Sequence, residues 1–153
     1  MFVRCIFKVR YNLSTGQFPS LVSLLFEHED YFNLEPICGG TIISKRHVLT
    51  AAHCIDSPGI PEKWFVVAGS KYTNAPKSNK YNVKEIKLHP GYAIKSLIND
   101  VAILVIKEEF RFSKKLKVMS MASSLELPIG TVAYYIFQMR CYMFVYLKRL
   151  QTC

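Results

Sequence analysis

Short apolar runs separated by polar turn segments are the strongest constraint on how this 153-residue chain folds. Leu21-Val22-Ser23-Leu24-Leu25-Phe26 is one such run, with β-branched content. Thr41-Ile42-Ile43 and Val48-Leu49-Thr50 flank the polar stretch Ser44-Lys45-Arg46-His47, the pattern of a hairpin. Trp64-Phe65-Val66-Val67-Ala68 stops at Gly69-Ser70. Tyr81 to Leu88 alternates polar and apolar residues over much of its length, which marks a half-buried strand. Val101 to Ile106 is continuously apolar between Asp100 and Lys107, as a buried strand would be. Sustained helical periodicity is absent before the C-terminal region. Many short strands with polar turns between them predict an all-β barrel or sandwich.

The length suggests one domain, and an apolar content of 50% supplies a substantial core. Lysine and arginine total 20 against 11 acidic residues, a formal charge of +9. That balance permits attraction to anionic surfaces, nucleic acids or sulphated sugars but specifies none of them. The densest basic group, Lys107, Arg111, Lys114, Lys115 and Lys117, is expected to be a solvated surface, with an anion-binding exosite as the alternative. Three regions are expected: an atypical N-terminal segment over 1–13, a barrel over 14–132 and a divergent hydrophobic tail over 133–153. Met1 to Arg10 has no apolar stretch of the roughly 7–15 residues found in a signal-peptide core. Ala133 to Leu147 is aromatic and apolar, with Gln138 and Arg140 as its strongly polar members. It is shorter than the ~18 apolar residues of a membrane span and has Arg140 at its middle, so a buried or misfolding-prone tail and no membrane partner are expected, with a membrane anchor by this tail as the alternative.

The chemistry is concentrated in two segments. The first is Cys38-Gly39-Gly40-Thr41-Ile42-Ile43-Ser44, followed by His47-Val48-Leu49-Thr50-Ala51-Ala52-His53-Cys54. Small residues before His53 leave its ring room to face an open cleft. Imidazole titrates near neutrality, so it can take a proton from a hydroxyl and return it. The second segment is His89-Pro90-Gly91-Tyr92, then Asn99-Asp100-Val101-Ala102-Ile103-Leu104-Val105. Taken alone, its aspartate reads as the cap of a turn before a strand. His89, beside a proline, reads as structural, and His28 and His47 have no catalytic context. No histidine and cysteine group has the spacing of a zinc site. Glu62, Lys63 and residues 71–80 offer no acidic cluster for calcium, so no cofactor is expected.

In these segments the chain resembles the N-terminal half of the trypsin/chymotrypsin-like serine proteases. Gly16-Gln17-Phe18-Pro19-Ser20-Leu21-Val22-Ser23-Leu24 and Leu127-Pro128-Ile129-Gly130-Thr131-Val132 extend the likeness to about residues 14–132. The resemblance implies a single antiparallel six-stranded β-barrel, with the family's second barrel missing. It implies that His53 and Asp100 are catalytic, the carboxylate accepting a hydrogen bond from Nδ1–H of His53 and fixing its tautomer. It also implies a Cys38–Cys54 disulfide, a bond that persists in an oxidising compartment, and hence an extracellular setting. Five cysteines are an odd number, and Cys5, Cys141 and Cys153 have no obvious partners.

The pattern then breaks. Beyond Asp100 the serines are Ser113, Ser120, Ser123 and Ser124, none flanked by glycine, and the sole glycine is Gly130. A nucleophilic serine in a glycine-rich turn, with its oxyanion hole, is therefore absent. Arg10-Tyr11-Asn12-Leu13-Ser14-Thr15 does not match the family's activation cleavage site either. The expectation is a serine endopeptidase family member represented by a truncated chain that is inactive alone. Protein or peptide substrates belong to a complete form, and nucleic acid is not expected as a partner. The competing reading is a non-catalytic binding module built on one barrel.

Overall fold

A computed structural model describes residues 18–28, 34–55, 59–70, 79–121, 132–139 and 142–149. Cys5, Cys141 and Cys153, the 1–13 segment, Gly16-Gln17 and the 127–131 stretch lie outside them. Eight strands follow in order: β1 (Leu21–Glu27), β2 (Leu34–Ile42), β3 (His47–Thr50), β4 (Trp64–Ala68), β5 (Lys80–Leu88), β6 (Ala102–Ile106), β7 (Val132–Met139) and β8 (Tyr142–Arg149). Two 3-10 turns, Ala52–Cys54 and Pro61–Lys63, join them among the described residues. The first six strands close an antiparallel barrel in the order β1-β2-β3-β6-β5-β4. The all-β, six-stranded expectation holds, and five of the expected strands lie within a residue or two of their places, whereas β2 begins at Leu34, seven residues before the Thr41-Ile42-Ile43 run that marks it in the sequence.

Alternation builds the core. Val22 and Leu24 of β1, Val66 and Ala68 of β4, and Ala102, Leu104 and Ile106 of β6 point inward and are essentially water-free. Ile103 and Val105 are only half-buried. The continuous apolar run of β6 is thus a strand with one face in the core and one partly wet face. Trp64 is the largest fully buried side chain. Its ring lies 5.0 Å from that of Phe26, tilted by 59°.

Two irregularities show how the sequence shapes the sheet. The register between β1 and β2 shifts between Leu24 and Leu25, where Leu25 faces Pro36. Proline has no N–H to give to a ladder, and a bulge accommodates it. Gly40 is the point of closest approach. A Cβ there would lie 2.6 Å from Val48 Cγ1 and 3.2 Å from both Leu49 O and Val22 Cγ2, so only glycine lets β1, β2 and β3 pack this tightly.

The stretch expected as a buried or misfolding-prone tail carries two strands among its described residues. β7 and β8 pair antiparallel from Val132↔Arg149 to Met139↔Tyr142, and β7 runs close to β2. The aromatic and β-branched residues of β7 and β8 suit a pleated strand. No helix among the described residues is long and apolar enough to cross a membrane.

Candidate active site

β3 and β6 are neighbours in the barrel although more than fifty residues separate them, with Thr50 opposite Ala102. The chain leaves β3 through Ala51 and enters the short 3-10 turn Ala52–Cys54. Ala52 is buried and His53 exposed. Small side chains at 51 and 52 let the turn sit flat on the barrel end and raise the histidine above it. Thr50 Oγ1 donates to Gly39 O at 2.9 Å, which ties this end of β3 to β2. The Cys38–Cys54 disulfide, with an S–S distance of 2.05 Å, fastens the turn to β2 immediately after the histidine. It closes a loop of separation 16. We expect Cys38→Ser/Cys54→Ser to lower unfolding stability by about 3 kcal/mol, read from the midpoint of a urea titration at constant slope.

Asp100 arrives from the other side of the seam. Asn99 adopts a left-handed conformation with φ 55° and donates from Nδ2 to Gly91 O at 3.0 Å. Val101 N donates to Asn99 O at 2.7 Å, a three-residue turn centred on Asp100, while His89 N donates to Val101 O at 2.9 Å. Asparagine tolerates this backbone better than most residues because its short amide bonds locally. These bonds aim the Asp100 carboxylate across the seam. The sequence shows Asn99 as part of a motif, but its positioning role lies in a contact with Gly91 that spacing cannot reveal.

The carboxylate grips one residue twice. Oδ1 accepts from the backbone N–H of His53 at 2.8 Å, and Oδ2 lies 2.7 Å from His53 Nδ1. That network assigns the ring proton to Nδ1 and leaves Nε2 as the lone-pair nitrogen. The His53 side chain is 52% exposed and that of Asp100 22%, so the pair sits at an open surface. The hydrogen bond with the His53 ring holds the Asp100 carboxyl below the ordinary carboxylate range. Partial burial opposes that shift, and the His53 and Ala52 backbone amides and the His53 charge reinforce it.

A depressed carboxylate stabilises the fold fully above its unfolded pKa and loses that contribution as pH falls through the lower folded value. We expect the stability gap between the parent chain and Asp100→Asn to be constant down to about pH 4 and to close below it. Urea midpoints measured from pH 6 to pH 2 check this.

The remaining histidines fall elsewhere. His89 shapes its turn, its Nδ1 accepting from Gly91 N at 3.1 Å. His28 meets Phe26 edge-on, the ring centroids 5.1 Å apart. His47 Nδ1 lies 2.6 Å from Ser44 Oγ in the β2–β3 turn, a local context its sequence neighbourhood does not display. Cys38, His53 and Cys54 bring potential ligand atoms within 4.8 Å of one another. The two sulfurs are bonded to each other, however, so the thiolates a soft metal needs are not available.

A closed antiparallel barrel that holds a histidine by a carboxylate at one end, beside a disulfide-pinned turn, matches the first barrel of the chymotrypsin-like peptidases in architecture. The Trypsin family model matches residues 9–136, and the chain belongs to the trypsin family. It is 35% identical over 97 residues to alkaline trypsin C of Manduca sexta, covering 63% of this chain and 37% of that protein. Trypsin delta of Drosophila erecta is 36% identical over 87 residues, covering 57% and 34%. Venom serine protease 34 of Apis mellifera is 32% identical over 111 residues, covering 68% and 26%. The chain therefore spans about a third of the length of these curated relatives.

Proposed function

We propose that residues 14–132 are the proton-relay half of a serine endopeptidase, with His53 as general base and acid and Asp100 as its orienting carboxylate. The double grip of Asp100 on His53 is the observation that carries this. A carboxylate on Nδ1 fixes the tautomer whose Nε2 can accept a hydroxyl proton, and it stabilises the imidazolium that forms. The substrate class is protein or peptide, and the setting is extracellular, where the Cys38–Cys54 bond persists.

The 153 residues supply no glycine-flanked serine beyond Asp100, so we propose that alone they do not cleave peptides. The direct check is a fluorophosphonate probe, which reacts with activated serines. The isolated chain should take up no label. Labelling of Ser113, Ser120, Ser123 or Ser124 would show a nucleophile that the family pattern does not contain and would sink this part of the proposal. For the relay itself, residues 14–132 are joined to the part of the Manduca sexta relative that this chain does not cover. Hydrolysis of a peptide amide that disappears with His53→Ala supports the role, and hydrolysis untouched by that change refutes it.

A non-catalytic binding module needs no relay. The intact His53–Asp100 geometry therefore favours the first reading.

A further inference from the structure

Five cations follow β6 closely: Lys107, Arg111, Lys114, Lys115 and Lys117, all exposed. The fold sets two more beside them. The turn between β2 and β3 carries exposed Lys45 and Arg46 and is stitched to this segment by backbone bonds. Ile106 N donates to Arg46 O at 3.0 Å and Phe110 N to Lys45 O at 2.9 Å, while Arg46 Nη1 donates to Lys107 O at 3.1 Å. Some sixty residues of intervening sequence hide this neighbourhood.

Two carboxylates stand within the face, and both are engaged. Glu109 lies 3.9 Å from Lys45 Nζ and 3.6 Å from Arg46 Nε. Glu108 accepts from Asn82 N at 3.3 Å and Asn82 Nδ2 at 3.2 Å. Among the described residues, no carboxylate lies within ion-pair reach of Lys107, Arg111, Lys114, Lys115 or Lys117.

The backbone beneath the lysines is already ordered. Ser113 N donates to Leu116 O at 2.9 Å and Leu116 N to Ser113 O at 3.2 Å, closing a tight turn with Lys114 and Lys115 at its tip. Leu116 is buried and anchors that turn in the core, and Lys117 N donates to Pro19 O at 2.8 Å. A preordered display of charge loses little entropy when a ligand arrives.

We propose that this face binds a sulphated polysaccharide. A short lysine-rich stretch is a common footprint of heparin-like or nucleic-acid ligands, and two observations favour the sugar. Phe112, the one aromatic side chain exposed on the segment, leans toward the Phe110 ring at 6.4 Å instead of forming part of a row on which bases would stack. The Cys38–Cys54 bond also fits an oxidising, extracellular compartment, where polyanions are chiefly sulphated glycans. None of these cations contacts His53 or Asp100 in the structure, so the proposal stands whether or not the relay half serves proteolysis.

The test is binding of the full chain to immobilised heparin at about 0.15 M ionic strength. Circular dichroism confirms that each variant is folded. Lys114→Gln/Lys115→Gln should weaken binding about tenfold and flatten its salt dependence. Lys87→Gln/Lys95→Gln removes equal charge elsewhere on the barrel and should change it less than about twofold. Absence of retention overturns the proposal, as does equal loss in both variants. Binding of single-stranded DNA of matched charge as tightly as heparin would also overturn it, because the face would then read charge alone.

Discussion

Asp100→Asn, in the chain completed with a serine-bearing second barrel, is expected to lower kcat about 10⁴-fold at neutral pH with KM nearly unchanged. An asparagine amide can turn its nitrogen toward Nδ1. The ring then carries its proton on Nε2 and cannot accept one from a hydroxyl. The amide also withdraws the negative charge that stabilises the imidazolium. The asparagine oxygen can still accept from the His53 backbone amide as Oδ1 does, so the substitution changes the tautomer and charge while leaving the ring in place. Steady-state kinetics on a chromogenic peptide amide read the effect. A loss below about tenfold would show that the carboxylate does not control the protonation of His53.

Trp64→Ala should be the most costly single core change, lowering unfolding stability by about 3–5 kcal/mol. Trp64 is 2% exposed, sits opposite Phe26 in the β1–β4 ladder and packs its ring against that residue. Deleting it leaves a void between strands already fixed by closed pairing, and a closed barrel has little freedom to collapse into the space. Most of the domain's ordinary stability margin would go. A chain that unfolds at nearly the parent urea concentration would mean that neighbouring loops refill the cavity.

Much of the barrel is written locally. β1, β3, β4, β5 and β6 announce themselves because each is an apolar or alternating run bounded by turn residues. The first part of β2 does not, since Pro36, Gly39 and Gly40 are poor strand formers, tolerated here by a bulge and demanded by close packing. β7 and β8 are hidden for the opposite reason, as a largely apolar and aromatic stretch suits a strand or a buried tail alike.

The histidine and aspartate were legible through motif and order. What surrounds them was not: the clamp of Asn99 on Gly91, the bond from the His53 amide to Asp100, and the approach of Lys45 and Arg46 to the Lys107–Lys117 run. Each joins residues far apart in the chain or depends on backbone direction, and neither periodicity nor composition encodes such contacts.

The seam between β3 and β6 has a dynamic consequence. Thr50 pairs with Ala102 there, so the two strands that deliver His53 and Asp100 are directly hydrogen-bonded to each other. An opening fluctuation that unzips this ladder would part His53 from the Asp100 carboxylate at the same moment. Local breathing and loss of the His53–Asp100 pair thus become a single cooperative event. Amide exchange along His47–Thr50 and Ala102–Ile106 should therefore report the lifetime of the His53–Asp100 pair, with the disulfide on one flank and the Asn99 clamp on the other setting how rarely it opens.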